Sequence, residues 1–192
     1  RFRGTFISGL RSHVRGSRNC VIIHPETRLF NCSITILGND CCIEIGRHCI
    51  LSNTEFWIED DGGIIKVGSH TTAEGGHLAA TEGRAILIGD DCMFSHGIEV
   101  RNGDSHAIED AASGMRINEA MDVVIGNHVW LGANSTVLKG TKIDDGSIIA
   151  TGSVVTQNIE SHSIAAGVPA RIVKHAIRWE RERAWACKPQ QS

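Results

Sequence analysis

Between Val123 and Thr156 an apolar side chain falls on every sixth residue: Ile125, Leu131, Val137, Ile143, Ile149 and Val155. Gly or another small or polar residue often follows, as at Gly126, Gly132, Ala150 and Thr156. A helix repeats every 3.6 residues and a half-buried strand every two, so neither accounts for the spacing. A six-residue period predicts a solenoid in which three short sides form one triangular coil. Each apolar residue then points into the prism and is covered by the coils above and below. Ser135, Thr141, Ser147 and Ser153 stand two positions before an inward residue and suit tight corners.

The period continues upstream in pieces. Ile45, Leu51 and Trp57 share one phase, Val67, Ala73, Ala79 and Ala85 a second, and Ile88, Phe94 and Val100 a third. Phase slips imply insertions at corners, such as Glu59–Gly63. Residues 1–36 predict strands that cap the open end of the solenoid, 37–171 the solenoid itself, and 172–192 a short C-terminal helix and tail. Residues 107–122 lack the period and predict a loop leaving the prism, a length that usually carries function. The last segment lacks Gly and Pro over 172–187 and is rich in Ala, Arg and Glu, and Trp179 is expected to pack back on the coils.

Composition narrows the functional classes. The chain has 192 residues and a net charge of −3, which gives no pull toward nucleic acid. No apolar run is long enough to span a bilayer. The seven cysteines form no C-x-x-C pair, which disfavours a structural zinc site and suggests reduced thiols in a cytoplasmic protein. The arginines at 1, 3, 11, 15 and 18 read either as a solvated edge or as a contact for an anionic acceptor.

Three segments carry a resemblance: IGDDCMFSHGIEVRNGDSHAI (88–108), DVVIGNHVWLGANSTVLKG (122–140) and IAAGVPARIVK (164–174). Each is similar to the hexapeptide-repeat acyltransferases, and most closely to the sugar and capsular polysaccharide O-acetyltransferases. The resemblance implies an all-β fold, a left-handed parallel β-helix, where general crossover rules alone predict the opposite hand. It also implies a homotrimer, acetyl-CoA as co-substrate without a metal, and a saccharide acceptor. The expected activity is acetyl transfer to a sugar hydroxyl. N-acetylation of a nucleotide amino sugar is the alternative, ahead of a zinc hydratase or a non-catalytic solenoid on the same fold.

His106 is the candidate general base. Acyl transfer to a hydroxyl needs a group to take its proton, and an unperturbed imidazole titrates near ~6.5, close to working pH. His106 stands where a coil gives way to the excursion loop, and the resemblance makes a histidine in this segment the base. Asp104, two residues earlier, either orients the imidazole from the same side of an extended segment or serves the corner at Gly103. Trp130 neighbours an inward residue and should point outward, to pack on acceptor or pantetheine or at a trimer interface. By the resemblance, Ala133, Thr151 and Thr156 line the pantetheine track. Arg171 and Lys174 reach the phosphates of coenzyme A or form ordinary basic surface.

Overall fold

The structure, a computed structural model, describes residues 4–182. Within them 22 short strands form three sheets of nine, seven and six strands, parallel except for the last strand; the sheets are the faces of a triangular prism. Three columns of apolar side chains fill it. Leu29, Leu51, Ala73, Phe94, Leu131, Ile149 and Ala165 run down the nine-stranded face. Ile34, Phe56, Leu78, Val100, Val137 and Val155 descend the seven-stranded face. Ile45, Val67, Ile88, Ile125 and Ile143 descend the six-stranded one. All are buried, so stacking rather than any single coil creates the core.

The tight corners and glycines follow from this stacking. Ser135, Thr141, Ser147 and Ser153 are buried at corners as the spacing requires. At Gly132 a Cβ would lie 2.7 Å from the backbone nitrogen of Thr151 in the next coil, so only glycine fits that approach. Early coils differ from late ones. Aligned residues there are 22 apart, against 18 in the regular region. From Leu51 the next inward column is reached at Phe56, one residue sooner than from Leu131 to Val137. That shorter corner turns Trp57 and Ala79 to the outward register, and Ala85 is also outward; Phe56, Leu78, Ile86 and Ile88 face in instead.

Residues from Phe6 onward, expected as caps, pair in register with the coils that follow and form the first turns. Two expectations are corrected. Residues 172–174 belong to strand Ala170–Lys174, antiparallel to Ile164–Gly167, and 175–182 contain no helix; residues 183–192 lie outside the described residues. Cys20 and Cys42 face each other across paired strands and are joined as a disulfide, so the thiols are not all reduced. Cys32, Cys41, Cys49 and Cys92 are buried free thiols, and burial pushes Cys92 up to about 12 and Cys49 to about 11. Among the described residues no helix is long and apolar enough to cross a membrane.

Candidate active site

Strand Ile98–Arg101 ends the seven-stranded face of its coil, and Val123–Ile125 resumes on the six-stranded face. The excursion between them is an ordered hairpin. Glu109 and Arg116 bridge antiparallel, Ile117 N–H donates to the Ile108 carbonyl at 2.9 Å, and the Asp110 carboxylate accepts from Ser113 at the tip. Its apolar side chains Ile108, Met115, Ile117 and Met121 are exposed, Met115 at 68 %.

His106 sits at the base of this hairpin with its side chain exposed and without a hydrogen-bond partner among the described residues. An imidazole so placed is free to meet a substrate hydroxyl. The Asp104 carboxylate makes no hydrogen bond or ion pair with it among the described residues. Ser105 takes a left-handed conformation (φ 63°), so the segment is not extended and the alternation that would put the two side chains on one side is broken. The Asp104 carboxylate instead accepts from Lys139 Nζ and, at 2.9 Å, from Asn118 Nδ2. The Lys139 ammonium and then the Asn118 amide hold that carboxyl below the usual carboxylate range. Arg116 pairs with Glu82 on the coil before, and Lys139 belongs to the coil after, so the neck of the loop is pinned on both sides. Nothing in the sequence marks Asn118, Lys139 or Glu82, because most of their partners lie 10 to 38 residues away.

The remaining candidates occupy other parts of the prism. Trp130 points outward on the nine-stranded face, 36 % exposed, beside a groove lined by Ile50, Thr72, Glu74, Met93 and Ser95. Ala133 and Thr151 stack at the corner between the nine- and seven-stranded faces, where Gly152 N–H donates to the Ala133 carbonyl at 2.9 Å. A Cβ at Gly152 would meet nothing within 4 Å, so this edge is open. Thr156 is exposed at the corner between the seven- and six-stranded faces, the edge His106 shares. Arg171 and Lys174 are exposed on the last strand of the nine-stranded face, and neither has a carboxylate partner among the described residues. One subunit therefore brings His106 and Thr156 to one edge and Ala133 and Thr151 to another, with Trp130 on the face beyond.

The chain after Lys174 climbs back along the edge between the six- and nine-stranded faces. Ile177 N–H donates to the His162 carbonyl at 2.9 Å. The Trp179 indole N–H donates to the His128 carbonyl at 3.0 Å, and its ring stacks on the His128 imidazole with centroids 3.8 Å apart. Arg181 reaches Asp91, the Thr72 hydroxyl and the carbonyls of His70 and Cys92. Trp179 also tilts against Trp130, with centroids 5.9 Å apart. The sequence points to Trp179 packing, but not to a strap that borders the groove beside Trp130.

Comparison with known proteins agrees with this architecture. The family described as bacterial transferase hexapeptide (six repeats) matches residues 122–157. A polysialic acid O-acetyltransferase of Neisseria meningitidis is 35 % identical over 147 residues, spanning 66 % of this chain and 68 % of that protein. One from Escherichia coli O1:K1 is 35 % identical over 120 residues, 62 % of this chain but 39 % of its own length. Among solved structures, the polysialic acid O-acetyltransferase OatWY superposes with a TM-score of 0.65 at 30 % identity, covering 95 % of this chain and 93 % of that one. The polysialic-acid-specific acetyltransferase NeuO gives a TM-score of 0.75 at 26 % identity, with 92 % and 91 % covered. The left-handed parallel β-helix, the repeat and these likenesses together place the chain: it belongs to the hexapeptide-repeat acetyltransferases, close to the O-acetyltransferases of capsular polysaccharide.

Proposed function

We propose that the protein transfers an acetyl group from acetyl-CoA to a hydroxyl of a surface saccharide, a sialic acid polymer being the first candidate. The likeness to two polysialic acid acetyltransferases over more than nine-tenths of the chain carries the acceptor class. Acetyl-CoA supplies an activated thioester. His106 accepts the proton of the attacking hydroxyl, and the resulting imidazolium returns it to the departing sulfur. Acceptor oxygen attacks directly, so no nucleophile of the chain is required. The open edge at Ala133, Thr151 and Gly152 suits pantetheine, and the exposed cations Arg171 and Lys174 suit the phosphates.

His106 and Trp130 lie on different parts of one prism, and a packing that set one subunit's edge against the next subunit's face would unite them. The reading is therefore a homotrimer with three clefts, each built by two neighbours, as cyclic symmetry permits. Use of acetyl-CoA places the reaction in the cytoplasm. An acceptor panel tests the reading: free thiol released from acetyl-CoA with polysialic acid, a neutral polysaccharide, a short galactoside and a nucleotide amino sugar. Acceptor-dependent release with a polysaccharide supports it. Release only with the amino sugar would replace it with N-acetylation.

A further inference from the structure

We infer that Asn118 is a positioning residue for His106, acting through the main chain of the loop and anchored by Lys139. The inference rests on His106 being the base. Asn118 is only 6 % exposed, although it stands in an excursion whose other side chains are mostly open to solvent. Its amide is fully committed. Nδ2 donates to the carbonyl of His106 at 2.7 Å and to the Asp104 carboxylate at 2.9 Å. Oδ1 accepts from the backbone N–H of Ile108 at 2.7 Å and from Arg116 Nε at 3.2 Å. The partners fix which end is which: a carbonyl and a carboxylate demand the donor, and a backbone N–H demands the acceptor.

One side chain thus holds the residues on both sides of the His106 side chain's attachment. A further bond in this stretch, His106 N–H to the Asp104 carbonyl at 2.8 Å, closes the turn made by left-handed Ser105. Lys139 donates both to Asp104 and, at 2.9 Å, to the carbonyl of Asn118. It ties the hub to a regular coil, which is rigid because it is stacked on both sides. Asp104 therefore acts one step further back than a direct partner of the imidazole would: it anchors the clamp, and the clamp sets where the imidazole stands. A base on a long loop needs such support, since a misplacement of about 1 Å can cost roughly 10²-fold in rate.

The test uses Asn118→Asp, nearly identical in shape. It keeps the acceptor toward Ile108 N–H and Arg116 but turns an oxygen onto the His106 carbonyl and the Asp104 carboxylate. We expect turnover to fall roughly 10- to 100-fold with the Michaelis constant for acetyl-CoA unchanged. In a His106→Ala background the same substitution should cost nothing further, because a residue that acts only through His106 is silent once the imidazole is gone. Lys139→Met, which leaves the hub residue in place, should lose turnover in the same direction by a smaller factor and be equally silent in that background. Near-normal turnover of Asn118→Asp would overturn the inference, as would an equal loss with and without His106. Normal turnover of His106→Ala alone is a separate result, and would remove the base reading instead.

Discussion

Trp179 is the most informative place to perturb the strap. Its ring is 6 % exposed, stacked on His128, tilted on Trp130 and bonded through its N–H to the His128 carbonyl. Replacement by alanine removes all three contacts. Truncating a buried aromatic costs about 3–5 kcal/mol, which at ~1.4 kcal/mol per decade shifts the docked-to-free ratio of the strap by two to three and a half decades, roughly 10²- to 4 × 10³-fold. None of the three core columns passes through Trp179, so the cost falls on residues 175–182 and not on the coils. Hydrogen exchange reads this directly. The Ile177 amide, bonded to the His162 carbonyl, should lose protection in Trp179→Ala, while amides of Val123–Ile149 keep theirs. Thermal unfolding of the solenoid should move little. Unchanged protection at Ile177 would refute the strap as a separately held unit; so would a collapse of the solenoid midpoint, which would make Trp179 part of the stack. With the strap released, Trp130 also loses a neighbour, and the Michaelis constant for the saccharide should rise more than that for acetyl-CoA.

Arg171→Ala combined with Lys174→Ala should raise the Michaelis constant for acetyl-CoA several-fold and leave saturated turnover largely unchanged, because phosphate contacts are equal in ground and transition states. Steady-state thiol release checks this, and lost turnover with an unchanged constant would move the cofactor elsewhere. For Asp104 the folded value is depressed, so its anchoring is fully present above the ordinary carboxylate value of about 4 and is lost only as pH falls through the lower folded value. Asp104→Asn should therefore lower turnover by a similar factor at every pH from 5 to 8. A changed shape of the rate profile in that window would show Asp104 titrating with the base.

The fold was most legible where the chain is most regular. Residues 123–156 have equal corners, so every inward residue from Ile125 to Val155 sits at the spacing the period demands. Upstream, a corner one residue shorter turns Trp57 outward and Phe56 inward, and hydropathy does not distinguish two adjacent aromatics. In the tail, helix-forming residues suggested a helix, but Ile177, Trp179 and Arg181 each bind the prism edge, a tertiary arrangement that overrides propensity. At the candidate site, the resemblance of segment 88–108, more than the boundary between coil and loop, made His106 visible. The role of Asp104 was not visible, because one left-handed residue redirects it and its partners Asn118 and Lys139 come from distant sequence.

In the proposed function, acetyl transfer occurs at a site made by His106 of one subunit and Trp130 of its neighbour. Mixing subunits tests it most directly. His106→Ala and Trp130→Ala proteins are each assayed alone for thiol release with acetyl-CoA and the acceptor, then unfolded together and refolded as hybrids. General-base loss should leave His106→Ala roughly 10²–10⁴-fold slow. In random hybrid trimers about one cleft in four unites an intact His106 with an intact Trp130, so activity should recover to roughly a quarter of wild type. Hybrids no more active than the average of the two parents would contradict the account.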